Sequence, residues 1–184
     1  MQKTRKSRLA LALRRKLFVK FSRSFEQGAF GGYVLDIGPK FFLLVVQGID
    51  DVRFNGFSCI RIADVRKLEV PHKYAGFSEA ARKKLGVITP KKPSLSLAST
   101  SELLLSAQKI FPLVTLQREV VDPDVCYIGR VIEVNKAFVS LLEIGPDARW
   151  DKKPNSYRLN EITRVDFGGR YEEALDLVGG SPKK

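Results

Sequence analysis

The sequence predicts a mainly β protein with short helices, built as two tandem five-stranded small barrels that are each preceded by a helix. Three observations predict it. First, residues 32–69 recur as residues 129–166 at a constant offset of 97. Seven pairs are identical: Gly32/Gly129, Val34/Val131, Phe41/Phe138, Leu44/Leu141, Gly48/Gly145, Asp50/Asp147 and Arg61/Arg158. Others keep their chemistry, such as Asp36/Glu133, Val65/Ile162 and Lys67/Arg164. One supersecondary unit must then account for both halves. Second, each copy carries short runs of strand period, bounded by Gly, Pro, Asn and Asp. Third, 184 residues with an apolar fraction of 44% suffice for two modest cores. The shared residues are mostly apolar, so the repeat reports a common core and not a shared catalytic site.

The elements follow in order. Residues 3–17 read as a helix, because Leu9, Leu13 and Leu17 recur at four-residue spacing. Leu11 falls on the opposite face, so the stripe is imperfect. Val19, Phe21 and Phe25 alternate with polar residues, which is strand periodicity. Gly31-Gly32 breaks that pattern before a second strand, Tyr33–Ile37. Gly38-Pro39-Lys40 is a turn, and Phe41–Gln47 is apolar enough to be buried on both faces. Asp50-Asp51 and Asn55-Gly56 flank a short fourth segment, Phe57–Ile62 is the next strand and Asp64–Val70 the last. A short helix over Glu79–Leu85 follows, with Ser78 as its N-cap and Gly86 as its stop. Residues 87–98 hold two prolines, two lysines and two serines without a period, and read as a linker. Ser99 then opens a helix through about Ile110, and Ser99 and Glu102 have capping-box spacing. Strands at Leu113–Glu119, Cys126–Val134, Phe138–Ile144, Ser156–Leu159 and Ile162–Phe167 repeat the first half. Tyr171–Val178 closes as a helix. The domains are therefore residues 1–86, a basic helix with the first barrel, and residues 99–180, a helix with the second.

Five short strands with glycine at sharp corners make a small, strongly bent barrel, and here the pattern resembles the Sm-like (LSm) family. The resemblance is carried in the second half by the helix 101–111, the strand Leu113-Val114-Thr115-Leu116 and the glycine strand 129–134. The Asn135-Lys136 turn and the strand 138–142 complete it there. In the first half it is carried by Gly32–Asp36, the turn at 38–40 and Phe41–Val46. The strands Cys59–Ile62 and Ser156–Leu159 lie where the family has an Ile-Arg-Gly turn. Ile62 and Leu159 replace that glycine, and the Asp-x-x-x-Asn element of the family's nucleotide pocket is intact in neither half. The resemblance therefore implies the fold more than it implies RNA binding. A pair of generic SH3-like barrels describes the pattern nearly as well.

The formal net charge of +12 is unevenly spread. Residues 1–92 hold 20 Lys+Arg against 7 Asp+Glu, or +13, and residues 93–184 hold 12 against 13, or −1. Nine cations precede the first acid, Glu26: Lys3, Arg5, Lys6, Arg8, Arg14, Arg15, Lys16, Lys20 and Arg23. Such clusters attract phosphate backbones by neutralising charge and releasing counterions. The competing readings are a solvated basic face or tail, and contact with an anionic membrane surface. Lys40 and Arg61 extend the candidate nucleic-acid set. By analogy with the family, Arg61 and Arg158 would be loop residues facing a ligand, against pairing with Asp64 and Glu161. Phe30, Tyr33, Phe54 and Phe57 could stack bases, against service in the core. Trp150 and Arg158 are the candidate protein contacts, with Trp150 alternatively a hydrophobic lid.

Catalysis finds little support. Asp50-Asp51 and Asp147 lack a histidine or a phosphate-cradling loop beside them. Cys59, Cys126 and His72 share no metal-ligand spacing, so no metal and no cofactor is expected. Two isolated cysteines favour reduced thiols in a cytoplasm. No apolar run approaches the roughly 20 residues of a membrane span, and Arg14-Arg15-Lys16 cuts Leu9–Leu13 too short for a secretory signal. The expected function is non-enzymatic nucleic-acid binding, RNA before DNA, through the basic first half. The second barrel is expected to self-associate or bind a protein. The alternative is a protein-interaction or assembly module with no nucleic-acid role.

Overall fold

The computed structural model describes residues 2–25, 28–48 and 51–182, with side chains from residue 4 onward. The chain divides into two compact units, Met1–Lys92 and Pro93–Lys184. Unit 1 runs α1 (Gln2–Arg15), β1 (Phe18–Arg23), β2 (Phe30–Ile37), β3 (Phe41–Gln47), β4 (Phe54–Arg61), a 3-10 turn (Ile62–Asp64), β5 (Val65–Glu69) and α2 (Ala75–Lys84). Unit 2 runs α3 (Thr100–Ala107), β6 (Val114–Gln117), β7 (Cys126–Val134), β8 (Phe138–Glu143), β9 (Asn155–Arg158), β10 (Arg164–Phe167) and α4 (Arg170–Gly179). Strand outweighs helix, and the described strand pairs within each unit are antiparallel.

Both units use one strand order, with the last strand placed beside the first: β5-β1-β2-β3-β4 and β10-β6-β7-β8-β9. The repeat is thus a repeat of topology. The expectation of closed barrels is corrected, because the sheet is open: β4 does not pair with β5, nor β9 with β10. Closure requires every strand to be long enough and staggered enough to ladder on both sides. Here β9 and β10 have four residues each, and β5 is interrupted by a bulge.

The second strand of each unit carries the conserved geometry. Its register against the third strand shifts between Val34 and Asp36, and again between Val131 and Glu133, 97 residues on. Just before each bulge lies the shared glycine. A Cβ on Gly32 would sit 2.0 Å from the Val45 carbonyl oxygen, and one on Gly129 would sit 2.2 Å from that of Leu142. Gly31-Gly32 therefore does not break the strand as expected. β2 passes through both, and glycine is present because a neighbouring backbone comes too close for any side chain.

The repeat also slips by one residue. The loop after β3 closes with Gly48 N–H donating to the Arg53 carbonyl at 3.0 Å, and the loop after β8 with Gly145 N–H donating to that of Arg149 at 2.8 Å. Asp51 Oδ1 accepts from Arg53 N–H at 3.1 Å, as Asp147 Oδ1 accepts from Arg149 N–H at 3.2 Å. Asp51 therefore holds the place of Asp147, and the gap-free match to Asp50, which lies outside the described residues, is one of sequence only. The paired carboxylates brace a turn.

Helix ends explain their boundaries. α1 stops in a Schellman arrangement, with Leu17 N–H donating to the Ala12 carbonyl at 2.9 Å and Lys16 N–H to that of Leu13 at 3.3 Å. Lys16 takes the left-handed position, at φ 50°, where glycine is the usual residue. Ser99 caps α3 as expected, its Oγ accepting from Glu102 N–H at 3.1 Å. The Glu102 carboxylate takes the Ser96 hydroxyl instead, at 2.6 Å, so only half of the capping box forms. α2 starts three residues before the expected cap, and Ser78 is buried within it.

The core of unit 1 gathers Leu9 and Ala12 of α1 with Val19, Phe21, Phe42 and Leu44, all within 1% of full burial. Burying a leucine side chain is worth about 1.5–3 kcal/mol, so Leu9, with Ala12 and the partly buried Leu13, holds α1 on the sheet. In unit 2, Leu113, Ile144 and Leu175 form a smaller cluster against which Trp150 packs. Among the described residues, no helix is long and apolar enough to cross a membrane.

Candidate nucleic-acid interface

The docking of α1 decides which cations face solvent. With Leu9 and Ala12 turned inward, Lys6, Arg8, Arg14, Arg15 and Lys16 are exposed. Arg14 and Arg15 occupy the last turn, where the helix dipole favours positive charge. The Lys3 side chain lies outside the described residues. Arg5 is half-buried, and its Nη1 donates to the Ala63 carbonyl at 2.9 Å.

Among the described residues, two cavities lie against α1. One, of about 550 Å³, is lined by Leu13, Lys16, Tyr33, Val34, Leu35 and Thr89 and is mostly apolar. The other, of about 370 Å³, lies between α1 and the edge strand β5, with Thr4, Arg5 and Arg8 on one wall and residues 65–68 on the other. Arg66 and Lys67 of that second wall lie outside the basic clusters that the sequence marks.

The remaining basic candidates separate from this face. Lys20 is half-buried on β1. Arg23 is 2% exposed, and its guanidinium lies over the rings of Phe25 and Phe30 at 5.7 and 5.2 Å. Arg61 grips Asp64 through two bonds, Nε to Oδ2 at 2.6 Å and Nη2 to Oδ1 at 2.9 Å. Lys40 lies beside this pair, and burial, reinforced by the Arg61 charge, lowers its pKa. The equivalent Arg158 is exposed, 6.0 Å from the Phe138 ring centre. Its expected partner Glu161 instead accepts from Arg118 Nη1 at 2.7 Å. The repeated Arg–acid spacing thus forms an ion pair in one unit only.

Three of the aromatic residues considered for base stacking, Phe30, Tyr33 and Phe54, already hold a cation. Arg82, from the basic run after β5, is 4% exposed. Its guanidinium lies 5.4 Å from the Phe18 ring, 5.3 Å from Tyr33 and 5.2 Å from Phe54. Its Nη1 donates to Gln47 Oε1 at 2.7 Å and its Nη2 to Tyr33 Oη at 2.8 Å, and Tyr33 Oη donates on to Glu79 at 3.0 Å. Burial raises the Tyr33 pKa against the opposing Arg82 charge, so the phenol remains a donor. Lys92, of the same run, pairs with Asp36 at 2.6 Å.

Unit 2 holds a cation in a similar way. Arg118 lies over Tyr127 at 5.2 Å and Tyr157 at 4.9 Å. It donates to Asp122, which also accepts from Tyr127 Oη at 2.7 Å. These two bonds, that from Tyr127 first, hold the Asp122 carboxyl below its ordinary value. A carboxylate with a depressed folded pKa stabilises the fold above its unfolded pKa and ceases to do so as the pH falls through the folded value. Thermal melts from pH 6 to pH 2 are expected to show Asp122→Asn less stable at pH 6, with the gap to the wild type narrowing below about pH 4. A gap that stays constant across that range would contradict this linkage. Trp150 is half-buried, and its Nε1 donates to the carbonyls of Gly179 and Gly180 at 3.2 Å each. It fastens the end of α4. α4 carries the exposed apolar side chains Tyr171, Leu177 and Val178, and others of unit 2, such as Val120 and Ile132, lie off it.

Among the described residues, no group of three or more His, Cys, Asp and Glu side chains is arranged to hold a metal ion. What the arrangement offers is a docked basic helix beside a basic cavity. The chain matches no family model, no curated protein and no solved structure.

Proposed function

We propose that this protein is a non-enzymatic nucleic-acid-binding protein that takes RNA ahead of DNA and binds it through α1. The supporting observation is the docking of α1. Leu9 and Ala12 are fully buried, so Lys6, Arg8, Arg14 and Arg15 are presented on one helix, with Lys16 just past its end. Ordered cations engage a strand of phosphates at lower entropic cost than a flexible tail. We read both units as Sm-like or SH3-like, on the shared strand order and the glycine-bent second strand. Binding is assigned to the cytoplasm, where the two free cysteines, Cys59 and Cys126, stay reduced.

The test is fluorescence anisotropy with labelled single-stranded RNA and DNA of one sequence. Five single-strand phosphate contacts give a slope of log affinity against log salt of about −3.5, a loss of about a hundredfold between 50 and 200 mM salt. Arg14→Gln, Arg15→Gln and Lys16→Gln together are expected to flatten the slope by about 2. An absence of binding at 50 mM salt, or a triple variant that binds like the wild type, would refute the reading. In that event the exposed Leu177 and Val178 of α4 favour the second reading, a protein-interaction module acting through unit 2.

A further inference from the structure

We propose that the cavity between α1 and β5 is a phosphate subsite, in which Arg5, Arg8, Arg66 and Lys67 hold one phosphate group of a bound nucleic-acid strand without reading its bases. The inference rests on the nucleic-acid reading and adds residues outside α1 to it.

The charge in this cavity is concentrated. Arg5 Nη1 and Arg66 Nη1 donate to the same Ala63 carbonyl oxygen, at 2.9 and 3.0 Å. Arg66 Nη1 also donates to the Val65 carbonyl at 3.2 Å, but two guanidinium groups that share an acceptor repel each other, and neutral carbonyls compensate little of that. The acids nearest in sequence are engaged elsewhere, Asp64 with Arg61 and Glu69 with His72 Nδ1 at 2.6 Å. Arg8 and Lys67 are exposed on the two walls. A site with this balance gains from an anion.

The backbone of β5 is bent to bring the cations together. Arg66 lies opposite Ser22 and Glu69 opposite Lys20, so two residues of β5, Lys67 and Leu68, face one residue of β1. This is a β-bulge. It leaves Arg66 and Lys67 both exposed, where a regular strand would turn one of them inward. Lys67 has φ 41°, a left-handed conformation that glycine adopts freely and lysine does not. A lysine kept in a strained position beside a basic cavity points to a task for its charge.

The chemistry selects phosphate. Guanidinium forks match phosphate oxygens in pairs, and the hydroxyl of Thr4 adds a donor to the lining. The volume, about 370 Å³, lies at the low end of the roughly 300–1,000 Å³ of small-ligand pockets. None of the lining residues is aromatic, so the cavity offers no stacking surface for a base, and the contact is blind to sequence.

The experiment uses the full chain with single-stranded RNA oligonucleotides bearing either a 5′-hydroxyl or a 5′-phosphate, at 50 and 200 mM salt. Lys67→Gly and Arg66→Gln are each expected to weaken binding about five- to tenfold at 50 mM salt and to flatten the salt slope by about 0.7. Lys67→Gly is expected to melt no lower than the wild type, since glycine accepts the bulge geometry, and this separates lost binding from lost folding. Equal loss on both oligonucleotides assigns the site to an internal phosphodiester. A 5′-phosphate preference that disappears in Lys67→Gly assigns it to a terminal phosphate. If the wild type binds and both variants match it while the triple α1 variant does not, the subsite is overturned and the α1 reading stands. If the wild type binds neither oligonucleotide, both fall.

Discussion

Gly129→Ala is expected to destabilise unit 2 by about 3–5 kcal/mol, a large part of the roughly 5–15 kcal/mol that holds a domain folded. The added Cβ would lie 2.2 Å from the Leu142 carbonyl oxygen, 2.8 Å from its carbon and 2.9 Å from Glu143 Cα. All three obstacles are backbone atoms of the paired strand β8, so no rotamer change relieves them. Relief requires β7 and β8 to separate at the ladder that carries the centre of the sheet. Trp150 is the only tryptophan and packs on the core of unit 2, so its emission during denaturant unfolding reads the loss directly. Unit 1 supplies the internal control. Gly32→Ala meets the Val45 carbonyl oxygen at 2.0 Å and should cost as much, whereas Gly31→Ala meets only the Phe18 ring, at 3.0 and 3.1 Å, which can shift. A midpoint for Gly129→Ala within about 1 kcal/mol of the wild type, or equal costs at Gly31 and Gly32, would show that the strands are not held this closely.

These glycines show what the sequence carried and what it did not. The identity Gly32/Gly129 was visible as an invariant of the repeat, yet its neighbour Gly31 made it read as a strand break. Composition does not separate a glycine that turns the chain from one that admits a neighbouring backbone. The expected strands appear in order, with the short segment before Asn55-Gly56 joined to the next as the single strand β4, because period-two alternation and turn residues are local signals. Closure was not legible, since it depends on strand length and stagger summed around a ring. The one-residue slip that puts Asp51 in the place of Asp147 was hidden by an identity at Asp50.

The candidate interface was legible in part, for a related reason. The basic helix was readable because its leucines and cations lie within one short segment. The cavity wall was not, because Arg66 and Lys67 reach α1 only through the β1–β5 pairing and a bulge, neither of which leaves a local signature. Charge counting also grouped cations that the fold separates. Arg23 and Arg61 belong to the inventory of positive charge by sequence, but one lies against phenylalanine rings and the other on an aspartate.

Arg82 is the sharpest instance, and Arg82→Ala is expected to cost about 3–5 kcal/mol. The guanidinium lies against Phe18, Tyr33 and Phe54 and bonds to Gln47 and Tyr33. A desolvated cation–π contact is worth about 2 kcal/mol, and a hydrogen bond from a charged donor about 1.5–3 kcal/mol. Truncation loses these together, leaves Gln47 Oε1 without this donor and opens a void among three rings. Tyr33 keeps its bond to Glu79, which limits the damage on that side. Arg82→Lys preserves charge but not the planar fork that reaches Gln47 and Tyr33 at once, so it should recover less than half of the loss. Arg82→Met tests the other limit, because a buried charge can be replaced by a well-packed apolar side chain at little cost. Thermal melts of the three variants separate the contributions, and Arg82→Met as stable as the wild type would reduce the role of Arg82 to filling space. Because this guanidinium faces the protein, none of the variants that stay folded should alter the salt slope of oligonucleotide binding. A slope flattened by Arg82→Lys would move Arg82 from the core to the interface.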